Sequence, residues 1–108
     1  MATLPTQVIS LSGLEPAYVA AAGGGDKVRP GDRVFLHVKN GDSGSHTVTI
    51  VTPGTVKGQA IADLAVAVPA GEERMIPVPA DLFRNPVDGL ASITYDAVTS
   101  VTIAALQV

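Results

Sequence analysis

No window of a dozen residues in this chain keeps apolar positions at i, i+3, i+4 and i+7 with a polar opposite face, so amphipathic helices are not available to build it. Val, Ile and Thr are abundant instead, and their branched β-carbons suit a pleated surface better than a helix. Gly and Pro, 11 and 8 of 108 residues, break the chain at strand-length intervals, the rhythm of a small sandwich or barrel. An all-β fold follows: an antiparallel Greek-key β-sandwich, with a jelly-roll-like barrel as the variant. The length fits one domain over residues 1–108.

The alternation places strands around Gln7–Leu11, Ala17–Ala21, Arg33–Lys39, His46–Thr52, Ile61–Val68, Glu73–Val78, Leu90–Asp96 and Ser100–Leu106. Between them, Ala22-Gly23-Gly24-Gly25-Asp26 reads as a flexible connector and Arg29-Pro30-Gly31-Asp32 as a tight turn. The segments 40–45 and 69–72 read as hairpin closures, as does 96–99. Pro79 to Pro86 has room for a single helical turn bounded by prolines. The uncharged segment Ala2–Ser12 suits an extended arm, making residues 1–12 a unit that could add to a neighbouring sheet.

The first hairpin has a preferred register. Val34, Leu36 and Val38 alternate with Phe35 and His37, while Val48 and Ile50 alternate with Thr47 and Thr49. Setting both apolar series on one core pairs Val38 with His46, Leu36 with Val48 and Val34 with Ile50. His46 is then in phase with the core, and His37 lies on the other face.

Composition removes several function classes. There is no cysteine, hence no disulfide, thiolate nucleophile, zinc finger or iron–sulfur cluster. Seven Lys+Arg against ten Asp+Glu leave a net charge of −3, which does not favour nucleic acid as a partner. No apolar run approaches the roughly 18 residues of a membrane helix, so no membrane association is expected. Met1 to Pro5 has neither a basic leader nor an apolar h-region, so the expectation is a protein assembled in a cytoplasm.

Catalytic patterns are equally sparse. Asp26, Asp32, Asp42, Asp63, Asp81, Asp88 and Asp96 sit in or beside expected turns, where Asp bonds nearby backbone N–H groups. No serine stands in a Gly-x-Ser-x-Gly setting. Gly23-Gly24-Gly25-Asp26-Lys27 lacks phosphate-loop spacing and has no helix after it. The reading is a non-enzyme with no catalytic, cofactor or metal residues.

Val28-Arg29-Pro30-Gly31-Asp32 through Asn40, followed by His46-Thr47-Val48-Thr49-Ile50, resembles the first copper-ligand region of cupredoxins, in which that His binds copper. The resemblance implies a cupredoxin-like or Ig-like sandwich. It stops short of a copper centre, which needs a Cys thiolate; the chain has no Cys, and no His or Met follows Asp96.

What remains is surface. Charged residues are 16% of the chain against 46% hydrophobic, and mean hydropathy is +0.35. A domain this size buries only about two-thirds of its unfolded surface, so Ala, Val and Thr must face outward. Ala65-Val66-Ala67-Val68 and Val101-Thr102-Ile103-Ala104-Ala105 carry no charge to discourage edge pairing. Each is therefore either central in its sheet or covered by a partner. Candidate interface residues are Thr6, Val8, Tyr18, Phe35 and Phe83.

From Gly25 onward, segments such as Phe35-Leu36-His37-Val38-Lys39-Asn40-Gly41, Val51-Thr52-Pro53-Gly54-Thr55-Val56, Val68-Pro69-Ala70-Gly71-Glu72 and Asp88-Gly89-Leu90-Ala91-Ser92-Ile93-Thr94-Tyr95 resemble small all-β head proteins of tailed bacteriophages. That resemblance implies a virion structural protein of the capsid decoration (cement) type, located on the virion. Its partners would be the major capsid protein or another virion protein and further copies of itself, in a symmetric homo-oligomer such as a trimer. The alternatives are a head–tail joining or tail protein, and an Ig-like or cupredoxin-like binding module of a larger surface or secreted assembly.

Overall fold

Seven residues with an apolar side chain at alternate positions, Val34–Asn40, form the longest early strand, and the sheets are built outward from such segments. In the computed structural model, which describes residues 2–53, 55–60 and 62–108, the chain is an all-β sandwich of two five-stranded sheets. In chain order the elements are β1 (Ala2–Thr3), β2 (Thr6–Val8), β3 (Val19–Ala20), β4 (Asp26–Val28), β5 (Val34–Asn40), β6 (His46–Ile50), β7 (Thr55–Val56) and β8 (Gln59–Ala60). They continue with β9 (Leu64–Val68), β10 (Glu73–Pro77), a helical turn α1 (Ala80–Phe83), β11 (Ala91–Tyr95) and β12 (Val101–Gln107). The first sheet runs β1-β4-β11-β6-β9; the second runs β10-β5-β12-β2, with β3 also on β12. A small ribbon, β7-β8, stands apart.

Both sheets turn one face inward. Leu36, Val38, Ile76, Ile103 and Ala105 from the second meet Val28, Val48, Ile50, Val68 and Ile93 from the first, and all are buried. Phe83 on α1, bounded as expected by Pro79 and Pro86, closes the core from the side.

The alternation assigned inward faces correctly but not strand partners. β5 pairs with β10 and β12, whereas β6 pairs with β9 and β11. The expected Val38–His46, Leu36–Val48 and Val34–Ile50 pairing is therefore absent, because β5 and β6 belong to different sheets that share one core. The 69–72 and 96–99 connections likewise cross between sheets, from β9 to β10 and from β11 to β12. Two strands with inward apolar series satisfy one core equally well side by side or face to face, and a five-residue loop is long enough to span the roughly 10 Å between sheets.

Other boundaries moved as well. The glycine-rich connector runs directly into β4, whose Asp26 is buried. The strand expected at Ile61–Val68 is observed as Leu64–Val68; Ile61 lies outside the described residues. In the N-terminal segment, β1 lies parallel to β4 and β2 parallel to β12, with buried Leu4 between them. Residues 2–8 thus join both sheets of their own sandwich.

Candidate functional site

At one end of the sandwich the β5–β6 and β11–β12 connections meet, held by Gly41 N donating to Ser100 O at 2.8 Å. A β-carbon on residue 41 would stand 3.3 Å from that carbonyl, so any larger residue would press on the Ser100 backbone. Buried Asn40 stitches the same end: its Nδ2 donates to Gly44 O at 2.8 Å and to Val68 O at 2.9 Å, and its Oδ1 accepts from Asp42 N at 2.9 Å. Asn40 belongs to the second sheet and Val68 to the first, so one amide bridges the two layers.

His46 opens β6 in phase with Val48 and Ile50, as the alternation predicts. Its Nε2 lies 2.9 Å from Asp42 Oδ2, and its Nδ1 lies 3.4 Å from Asp96 Oδ1, too long for a well-made hydrogen bond. The Asp42 hydrogen bond raises the His46 pKa above its ordinary value, and His46 in turn lowers that of Asp42. Burial works against ionisation of Asp96, yet backbone N–H groups and His46 hold its carboxyl below the usual range. The two imidazole nitrogens thus address different carboxylates, one on each side of the ring. Among the described residues no three His, Cys, Asp or Glu side chains group to hold a metal ion.

His37 is on the opposite face from the core, as its phase requires, yet it is buried because Tyr18 lies over it. Tyr18 Oη is 2.6 Å from His37 Nδ1, and the rings meet edge to face at 5.4 Å. His37 Nε2 lies 3.0 Å from Glu73 Oε1, and Lys39 Nζ sits 4.1 Å from the Tyr18 ring centre. Both imidazole nitrogens are occupied, so this cluster pins the 9–18 segment to the outer face of the second sheet. Gln7 adds a second clamp: its amide accepts from Ala17 N and donates to Ala17 O, both at 2.8 Å, as a neighbouring strand would.

Beside that cluster an apolar groove is lined by Ile9, Leu14, Pro16, Phe35, Met75 and Leu106. Its rim is open: Ile9 and Met75 are exposed, the latter to 64%, and nearby in the chain Leu11 is fully exposed. Of the expected interface residues, Tyr18 and Phe35 line this groove. Thr6 and Val8 line a different, more polar hollow with Thr3, Arg29, Leu90 and Gln107, where Val8 is 60% exposed. Phe83 joins neither; at 2% exposure it is a core residue with almost no surface to offer a partner. Its apolar ring between two prolines reads the same whether the turn packs inward or outward.

Sequence reasoning missed Met75 and Leu11. Met75 carried a usable signal: it is apolar but out of phase with Ile76 and Val78, both buried. Turn aspartates behave as expected, with Asp42, Asp88 and Asp96 accepting from the backbone N–H of Ser43, Leu90 and Ala97. Asp26 does not: it is 1% exposed and accepts from Tyr95 Oη at 2.7 Å and Ala22 N at 3.2 Å. Compared with family models, curated proteins and solved structures, the chain shows no match.

Proposed function

We propose that this chain is a non-enzymatic virion structural protein of the capsid decoration type, which binds a capsid lattice through the outer face of its second sheet. The observation that carries this reading is the groove rimmed by Ile9 and Met75: an apolar surface that the 9–18 segment of its own chain flanks but leaves open, with Leu11 of that segment exposed. Isolated exposed apolar residues are ordinary, but contiguous ones around a groove mark a contact surface. Low overall charge supports the same reading, since the core of a protein interface is depleted of charge. The mechanism is passive: each bound copy covers apolar surface at a lattice joint and so resists its separation. The major capsid protein or another virion protein supplies the other side, and the site of action is the virion.

Electron microscopy of purified particles tests this directly. The expected result is ordered surface density into which the sandwich fits with its Met75 face toward the shell. Met75→Glu together with Leu11→Asp removes that density while leaving the purified protein folded. Recovery of the protein only in free form, absent from particles, rejects the assignment.

A further inference from the structure

A β-sandwich has four sheet edges, and here three are guarded. β1 is two residues long, and the opposite edge of the other sheet is shared by the short strands β2 and β3. Edges this short present few unpaired backbone groups. The β10 edge is longer but protected. Asn40 N donates to Glu72 O and Val78 N to Val34 O. The even-numbered residues of β10 therefore bond to β5, and Glu73, Met75 and Pro77 turn their backbone outward. Pro77 has no N–H to offer there, and Glu73 and Arg74 put charge on the strand.

β9 has no such device. Among the described residues, nothing pairs with its outer side. Val51 N donates to Ser92 O and Asp96 N to Thr47 O, so the odd-numbered residues of β6 bond to β11 and the even-numbered ones to β9. His46–Val68, Val48–Val66 and Ile50–Leu64 are then the hydrogen-bonded pairs of the β6–β9 ladder. Ala65 and Ala67 are left with N–H and C=O pointing away from the sandwich. The strand Leu64–Val68 contains no charge and no proline.

The strand is also its own complement. Turned about a two-fold axis at Val66, Ala65 of one copy faces Ala67 of the other, and the two outward residues exchange all four free backbone groups. Val66 faces its own counterpart and Leu64 faces Val68, on the side of the core. Both Leu64, which is exposed, and Val66, which is only partly covered, then gain apolar neighbours. Pro69, the next outward position, lacks an N–H and ends the ladder after β9. With no charge to select a different chain and an order of residues that matches itself, the geometry points to a second copy of this protein as the occupant.

We propose that two copies join through antiparallel β9–β9 pairing centred on Val66, fusing their first sheets into one ten-stranded sheet. This pairing uses a different surface from the Met75 face and does not depend on the virion assignment.

Purified full-length protein tests it. Light scattering with size-exclusion chromatography gives twice the 11.0 kDa chain mass, and Ala65→Lys combined with Ala67→Lys, at two exposed positions, returns the mass to that of one chain. Register is tested separately by Val66→Cys in a chain with no native cysteine. At a non-hydrogen-bonded antiparallel pair the two α-carbons stand about 4.5 Å apart, within disulfide reach. Mild oxidation therefore cross-links Val66→Cys into a dimer far faster than the exposed control Thr99→Cys. A monomer at all concentrations overturns the proposal. So does a dimer that survives the double lysine variant, or a Val66→Cys protein that cross-links no faster than the control.

Discussion

The imidazole Nε2 of His46 sits 2.9 Å from the Asp42 carboxylate, four residues earlier in the same loop, and each group favours the charged form of the other. His46 has a pKa raised above 6.5, so its contribution to stability is complete below that value and is lost as pH rises through the folded-state pKa. Asp42, lowered below 3.8, contributes above that value and loses its share as pH falls through its folded-state pKa. The denaturation midpoint should therefore hold level below about pH 6 and decline as pH rises above 6.5 through the folded-state pKa of His46. His46→Gln should abolish that decline. An NMR titration placing His46 at or below 6.5 would refute the coupling.

Asn40 is the polar link between layers. Asn40→Ala leaves Asp42 N and Gly44 O without their partner and weakens the contact at Val68 O. The bond to Val68 O is buried and the other two are part-buried, open to replacement by water; one unsatisfied buried group costs about 1–3 kcal/mol. The Ser45 hydroxyl, 3.5 Å from Val68 O, offsets little. Urea unfolding should show a loss of about 1–3 kcal/mol, whereas a loss under about 0.5 kcal/mol would show that the amide is dispensable.

Tyr95 and buried Asp26 form a further polar pair, joining β11 to β4. Burial, then the neighbouring Asp26, pushes the Tyr95 hydroxyl well above the ordinary tyrosine range, so it remains a donor at every physiological pH. Tyr95→Phe leaves the Asp26 carboxyl with only the longer bond from Ala22 N. Hydrogen bonds to charged groups are worth about 1.5–3 kcal/mol, and a loss of that size is expected in thermal or urea unfolding. Tyr95→Phe combined with Asp26→Asn should recover part of it.

Phe83 and Met75 separate stability from surface. Phe83→Ala opens the core beneath α1 and should cost about 3–5 kcal/mol. Met75→Ser should change the unfolding free energy by no more than about 0.5 kcal/mol, because the side chain is largely in water in the free protein. Comparable destabilisation by both would mean that the Met75 face is already covered in the purified protein.

What the sequence by itself determined was the alternation. It specified an all-β fold and the inward phase of Val34, Leu36, Val38, Val48 and Ile50. It also put His46 toward the core and His37 away from it, and it marked Ala65–Val68 and Val101–Ala105 as strands needing a neighbour. A period of two records which face of a sheet a residue occupies, and nothing more. It does not record which strand lies alongside. Only the tertiary structure decided that β5 and β6 go to different sheets and that Tyr18 closes over His37. The same packing made β12 central and left β9 at an edge. Those outcomes depend on contacts between residues far apart in the chain, where the competing arrangements bury the same apolar side chains and differ only in which backbone groups find partners.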